Sequence, residues 1–233
     1  MMDLFCCPRD NDKIIKIMEC IEYTALLSLN STDAEVKKAC EDAKRYKMAR
    51  IVPFQTYIRD VFRYLEGSDV KVVQGCCDVF PRAERIHILE EGLKLGCCEV
   101  DIVGHQALFL DKKYDEYQDD VRACVEVANR YNAPLKVIIE TGFLNDEEKI
   151  LMSKLSLEAG ATFIKTCMGM RGGRCSIHDI LLLKDAFGDK IKIKASGSIA
   201  SLEDAYAMIQ AGADRVAIRA LAVEQLEALG YIS

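Results

Sequence analysis

The sequence predicts an α/β protein, a (β/α)₈ TIM barrel folded as a single domain over residues 1–233 with a short N-terminal arm. Three observations carry this. Eight short β-branched runs each precede an amphipathic helical stretch. The length of 233 residues is close to the about 250 that such a barrel uses as one unit. No low-complexity or linker-like stretch divides the chain. Strands that alternate with helices argue a parallel sheet, and right-handed crossovers over so many units close most simply into a barrel.

The elements follow in order. After an arm of about a dozen residues, a strand at 21–25 leads to a helix at 33–46. Strand 49–53 leads to helix 57–65, strand 70–74 to helix 84–95, and strand 98–103 to helix 116–131. Strand 135–141 precedes helix 146–159, strand 162–166 precedes helix 177–187, and strand 191–196 precedes helix 202–211. Strand 215–219 is last, and a segment at 221–229 closes the chain. The punctuation agrees with these bounds. Asn145 can cap the helix that opens with Asp146, Glu147 and Glu148, and Ser201 can cap the one that opens with Glu203 and Asp204, since side-chain oxygens and negative charge both suit a helix start. Gly160, Gly188 and Gly212 stand where a helix should stop.

Composition excludes several classes. Half the chain is apolar and 29% is charged, which is ordinary for a globular protein. A net charge of −6 with no basic block argues against a nucleic-acid partner. No apolar run approaches the about 18 residues of a membrane span, and no signal peptide is visible. The 11 cysteines are odd in number and include the vicinal pairs Cys6-Cys7, Cys76-Cys77 and Cys97-Cys98. They read as thiols in a reducing cytoplasm. With no CxxC pair, and with His87, His105 and His178 far apart, no metal site is expected.

Two lysines close neighbouring strands. Lys165 ends Thr-Phe-Ile-Lys-Thr and Lys194 ends Ile-Lys-Ile-Lys-Ala-Ser. Barrel active sites form at the C-terminal ends of strands. Adjacent strands lie about 4.8 Å apart, so two inward lysines at one level are near neighbours. A neighbouring cation and a dry pocket both disfavour protonation, which leaves an amine able to attack a carbonyl. Asp101, at the matching level of Glu-Val-Asp-Ile-Val, is placed to accept and return protons. The competing account is that each lysine is a solvated strand-end group. Lys192 shares the parity of Lys194, which implies a bulge, a register change or a lysine buried lower in the barrel.

Lys-Val-Ile-Ile-Glu-Thr from Lys136, Phe-Ile-Lys-Thr, Ile-Lys-Ala-Ser-Gly and Ala-Gly-Ala-Asp-Arg-Val together resemble stretches of the deoxyribose-phosphate aldolase family. Ile-Glu-Tyr-Thr-Ala-Leu-Leu from Ile21 is similar to the family's first strand, and Glu-Val-Asp-Ile-Val from Glu99 also fits. The match is dense over 135–220 and continuous upstream. The resemblance implies a class I aldolase without metal or cofactor, which reversibly cleaves 2-deoxyribose 5-phosphate to acetaldehyde and glyceraldehyde 3-phosphate. It implies Lys165 as the Schiff-base lysine, Lys194 as the second lysine that keeps it neutral, and Asp101 as the acid/base of a proton relay. Thr24, Thr166, Gly169, Gly197, Ser198 and Arg219 would hold substrate. The implied partners are small aldehydes and sugar phosphates, with neither nucleic acid nor membrane, and the implied assembly is a homodimer.

The departures fall on the substrate side. After Lys165 the chain reads Cys167-Met168-Gly169-Met170-Arg171-Gly172-Gly173-Arg174 where the family has a Ser/Thr-rich stretch. Gly197-Ser198 replaces Gly-Gly, and Arg219 stands where a serine is expected. The third strand runs into Gly75-Cys76-Cys77-Asp78-Val79-Phe80-Pro81-Arg82 in place of the family's Gly-Phe-Pro and threonines, and Gly104-His105-Gln106 follows Asp101 where an asparagine is usual. Arg219 has two readings: a bidentate fork for an anion, or a surface arginine paired with a carboxylate. The anion is favoured because the last two strands are where such barrels hold phosphate. His105 is either a recognition group or a solvated loop residue. Cys167, near a cation, is either a thiol of lowered pKa or a packing residue. Arg171, Arg174 and Arg219 keep open the same lysine chemistry on another phosphorylated or acidic aldol. A non-catalytic sugar-phosphate-binding relative is the third alternative.

Overall fold

The computed structural model describes residues 17–24, 31–77, 79–169, 173–219 and 224–226. Eight parallel strands close into a barrel in sequence order, the architecture the alternation predicted. The strands are β1 (Ile21–Tyr23), β2 (Arg50–Ile51), β3 (Lys71–Cys77), β4 (Glu99–Val103), β5 (Leu135–Ile138), β6 (Phe163–Lys165), β7 (Ile193–Ala195) and β8 (Arg215–Ile218). Around them lie α1 (Asp33–Arg45), α2 (Ile58–Tyr64), α3 (Arg82–Lys94), α4 (Gln106–Leu110), α5 (Tyr114–Arg130), α6 (Asp146–Glu158), α7 (Ile177–Phe187) and α8 (Leu202–Gln210). The expected N-terminal arm, Ala25 of the first strand, Asp78, Arg171 and most of segment 221–229 lie outside the described residues; within that last segment, residues 224–226 are helical.

Helix starts follow local chemistry. Asn145 accepts the Glu148 N–H while the Glu148 carboxylate accepts the Asn145 N–H, and Ser201 accepts the Asp204 N–H. Thr32 and Ser176 form two further reciprocal caps, with Glu35 and Asp179. The five-residue α4 has no counterpart among the predicted elements. It inserts between β4 and α5, capped by Nδ1 of His105, which accepts the Leu108 N–H.

The predicted fifth strand stops early. Glu140 turns to φ +54, which breaks the extended run, and Thr141–Phe143 is a single 3₁₀ turn. In β3 the register shifts between Gln74 and Cys77, where the strand meets β4.

Apolar residues pack between helices and barrel wall, as with Val100, Ile102, Val137, Ile164 and Ile193, all buried. An ion pair also lies in this layer. The Arg85 guanidinium of α3 pairs with Asp120 of α5 and donates to the Val103 carbonyl at 2.8 Å, tying two helices to the top of β4. The barrel interior is different, because its middle layer is charged: Glu22, Asp101, Lys136, Lys165 and Lys194 are all fully buried. Buried charge persists only when paired, so the interior is organised by ion pairs. Among the described residues, no helix is long and apolar enough to cross a membrane.

Candidate active site

Lys165 ends β6, and its register partner on β7 is Lys194. Both side chains point into the barrel, where Asp101 of β4 meets them. The Asp101 Oδ2 oxygen accepts from Lys165 Nζ at 2.9 Å and from Lys194 Nζ at 2.7 Å. One oxygen joins both amines, so the two nitrogens can be no farther apart than those two contacts laid end to end. The structure thus brings together Asp101, Lys165 and Lys194, the three residues singled out at matched strand ends.

Four further charges extend the group downward. Glu22 of β1 pairs with Lys194. Lys136 of β5 lies 3.2 Å from Asp101 Oδ1, 3.4 Å from Glu22 Oε1 and 2.5 Å from Glu99 Oε2. Glu99 in turn accepts from Nε of Arg50 on β2 at 2.9 Å. The sequence reading missed these residues as site members. For Glu99 a signal existed in parity, because it lies two residues before Asp101 on one strand face; Lys136 is found only through its register with Asp101.

The electrostatics follow from this packing. Burial alone would raise the Asp101 carboxyl, but the ammonium groups of Lys136, Lys165 and Lys194 outweigh it and hold the carboxyl well below the usual range. Burial likewise disfavours charge on Lys136, yet Asp101, Glu22 and Glu99 raise its pKa above that of an ordinary lysine. Lys194 goes the other way. Burial, aided by Lys165 and Lys136, lowers it against the pull of Asp101 and Glu22. Two amines on one carboxylate oxygen, with one destabilised as a cation, can keep a neutral amine available at neutral pH.

A small cleft opens at the C-terminal ends of the strands and is lined by Thr24, Gly169, Gly197, Ser198, Ala217 and Arg219 among others. Gly169 and Gly197 bring two loops into backbone contact. A Cβ on Gly197 would sit 2.8 Å from Cys167 Cβ, and its φ of +111 also requires glycine. Nη2 of Arg219 donates to the Gly169 carbonyl at 3.2 Å. That leaves Arg219 exposed on the cleft wall, and none of its described contacts is with a carboxylate.

No family model matches the chain. A deoxyribose-phosphate aldolase from Caldicellulosiruptor saccharolyticus is 38% identical over 209 residues, 86% of this chain and 93% of that protein. One from Staphylococcus carnosus is 37% identical over 203 residues, 84% of this chain and 89% of its own. The chain belongs to the deoxyribose-phosphate aldolase family. Among solved structures, the tetrameric deoxyribose-phosphate aldolase from Aeropyrum pernix superposes with a TM-score of 0.82 at 26% identity, covering 94% of this chain and 92% of its own. The family is one of carbon–carbon lyases.

Within this aldolase fold, the other flagged residues separate. Thr24 lines the cleft, with its hydroxyl donating to the Ile218 carbonyl at 2.7 Å. Thr166 does not line it. Its buried hydroxyl donates to the Ser196 carbonyl at 2.8 Å and accepts the Ser196 N–H at 3.0 Å, clamping the ends of β6 and β7. His105 is a helix cap. Burial raises the Cys167 thiol, opposite to the lowering that a nearby cation suggested, and the thiol packs against the Thr141 hydroxyl at 3.3 Å. Lys192 needs neither a bulge nor burial. It precedes β7, is exposed, and reaches the lower mouth of the barrel 5.6 Å from the centre of the Phe163 ring. Arg174 is exposed on the loop after β6.

Proposed function

We propose that this chain is a Schiff-base aldolase acting on 2-deoxy-D-ribose 5-phosphate, which it cleaves reversibly to acetaldehyde and D-glyceraldehyde 3-phosphate. The observation that carries the reading is the sharing of Asp101 Oδ2 by two buried lysines, in a chain whose relatives bear that enzyme name.

The Lys165 amine adds to the C1 aldehyde of the open-chain sugar, and loss of water gives an iminium. Removal of the C3 hydroxyl proton lets the C2–C3 bond break, and its electron pair moves into the iminium to form an enamine. Glyceraldehyde 3-phosphate leaves. Protonation of the enamine carbon and hydrolysis release acetaldehyde and restore the amine. Lys194 and Asp101 are the groups placed to move those protons. A carboxylate held so firmly ionised takes up a proton only when one of its ammonium partners is discharged, so Asp101 works together with Lys194.

The cleft supports a substrate with an anionic end, held by Arg219 together with the Gly197–Ser198 turn. A second reading keeps the lysine chemistry on a different phosphorylated or acidic aldol, and the guanidinium of Arg219 in that cleft is what favours it. Release of acetaldehyde from 2-deoxyribose 5-phosphate, set beside a panel of acidic aldols and unphosphorylated 2-deoxyribose, separates the two. The first reading requires deoxyribose 5-phosphate to have the highest kcat/KM. A homodimer is inferred from family likeness, with the tetramer of the Aeropyrum pernix protein as the competing assembly; sedimentation decides. The free cysteines among the described residues support a reducing, cytoplasmic setting.

A further inference from the structure

Among the described residues, the seven charges joined by the ion pairs above do not balance. Three are carboxylates: Glu22, Glu99 and Asp101. Four are basic groups: Arg50, Lys136, Lys165 and Lys194. Only the Arg50–Glu99 end touches solvent, with side chains 13% and 7% exposed; the other five are fully buried. An uncompensated charge in so dry a place is costly, and a titratable group relieves the cost by changing its protonation. Arg50 cannot be that group, because guanidinium keeps its proton at any ordinary pH. Lys136 cannot either, since it lies within 3.4 Å of three carboxylates. The surplus proton is therefore lost at the top of the barrel, from the two amines that share Asp101 Oδ2.

We propose that Arg50, acting through Glu99 and Lys136, is a remote positioning charge that leaves one amine of the Lys165–Lys194 pair uncharged. By occupying Glu99 from below, Arg50 takes up part of the negative charge that Lys136 would otherwise have to itself. Lys136 then draws more on Asp101 and Glu22, and less of those carboxylates is left for Lys165 and Lys194.

Every strand contributes to the field at this pair. Besides the seven, Lys71 of β3 is exposed and pairs in register with Arg50, Lys192 before β7 is exposed, and Arg215 of β8 is half-buried with its guanidinium 5.6 Å from the Phe163 ring centre. These three add positive charge at the lower mouth, where water screens it. Above, Glu140 at the end of β5 accepts the Met168 N–H at 2.8 Å. Burial pushes the Cys98 thiol up to about 11, so it adds no charge at neutral pH.

The count of charges stands apart from the Schiff-base reading of Lys165; its consequence for catalysis rests on that reading. The test is therefore a titration without any carbonyl. Protein labelled with ¹³C at lysine Cε is titrated by NMR as wild type, Arg50→Met, Arg50→Lys and Glu99→Gln, following the Lys165 and Lys194 signals. In the wild type, one midpoint of the pair lies below the about 10.4 of a free lysine. Arg50→Met should raise it by about 0.5–1 pH unit, roughly a three- to tenfold loss of neutral amine at a given pH below the midpoint. Arg50→Lys should restore it. Glu99→Gln, which deepens the imbalance, should lower it. Opposite shifts from Arg50→Met and Glu99→Gln cannot come from a barrel that has merely loosened. The proposal is overturned if Arg50→Met leaves the midpoint in place, if both variants move it the same way, or if Arg50→Lys shifts it as far as Arg50→Met. Absence of a carbonyl adduct on Lys165 would instead count against the Schiff-base reading and leave the titration result standing.

Discussion

Lys165 of β6 and Lys194 of β7 are register partners across two parallel strands, and both donate to one oxygen of Asp101. Two amines are held together by a single carboxylate that has no exposure to water. The arrangement is stable only while the carboxylate is ionised and the surplus positive charge can be shed.

Replacing Lys194 by Leu removes a cation beside Lys165, so Lys165 keeps its proton to higher pH. The pH profile of any remaining turnover should move up, and a move of one pH unit corresponds to about 1.4 kcal/mol of differential interaction. A variant that retains the wild-type profile at lower amplitude would mean that Lys194 acts otherwise.

Arg219→Ala should lower kcat/KM for the phosphorylated substrate by about 1.5–3 kcal/mol, the range of hydrogen bonds to a charged group. The loss on unphosphorylated 2-deoxyribose should be much smaller. Equal losses on both substrates would return Arg219 to a structural role, in which it only donates to the Gly169 carbonyl.

Asp101 also predicts an acid dependence of stability. Its carboxyl is held below the unfolded value, because the three lysines outweigh burial. Its contribution is therefore present above about pH 4 and is lost as pH falls toward the folded value. Thermal unfolding scans between about pH 5 and 2 should show a shallower decline for Asp101→Asn than for the wild type. Parallel declines would show that other carboxyls govern acid unfolding.

The Arg85–Asp120 pair between α3 and α5 is buried, and each partner neutralises the other. Asp120→Ala alone should cost about 3–5 kcal/mol in urea unfolding by stranding the guanidinium. The double replacement Arg85→Met with Asp120→Leu should recover much of that loss. A double variant as unstable as the single one would mean that the donation to the Val103 carbonyl matters more than the charge pair.

Much of this was legible in the chain. Helix 177–187 is predicted to its observed ends, with Gly188 marking where it stops; the Ser176 cap at its start emerges only in the structure. Lys165 and Lys194 stand out as charges closing two neighbouring strands, and Asp101 as a charge set between Val100 and Ile102 within another. Glu22 and Lys136 do not, since a single charge at the edge of a short apolar run reads as an outward residue until the register across strands is known. Thr166 reads as facing substrate because it follows Lys165, but its hydroxyl is committed to Ser196. The end of β5 is misplaced in the sequence because nothing in Ile-Ile-Glu-Thr announces a left-handed Glu140. Helix α4 is too short to show a periodic face. What the sequence left open belongs to contacts between strands.

The central claim is that Lys165 is the residue that bonds to the carbonyl. Borohydride reduction in the presence of acetaldehyde, followed by peptide mapping, tests it directly. Lys165 should gain a single two-carbon alkyl group, and Lys165→Leu should gain none at the site. A label on Lys194 or Lys136 in the wild type, with Lys165 unmodified, would contradict the account.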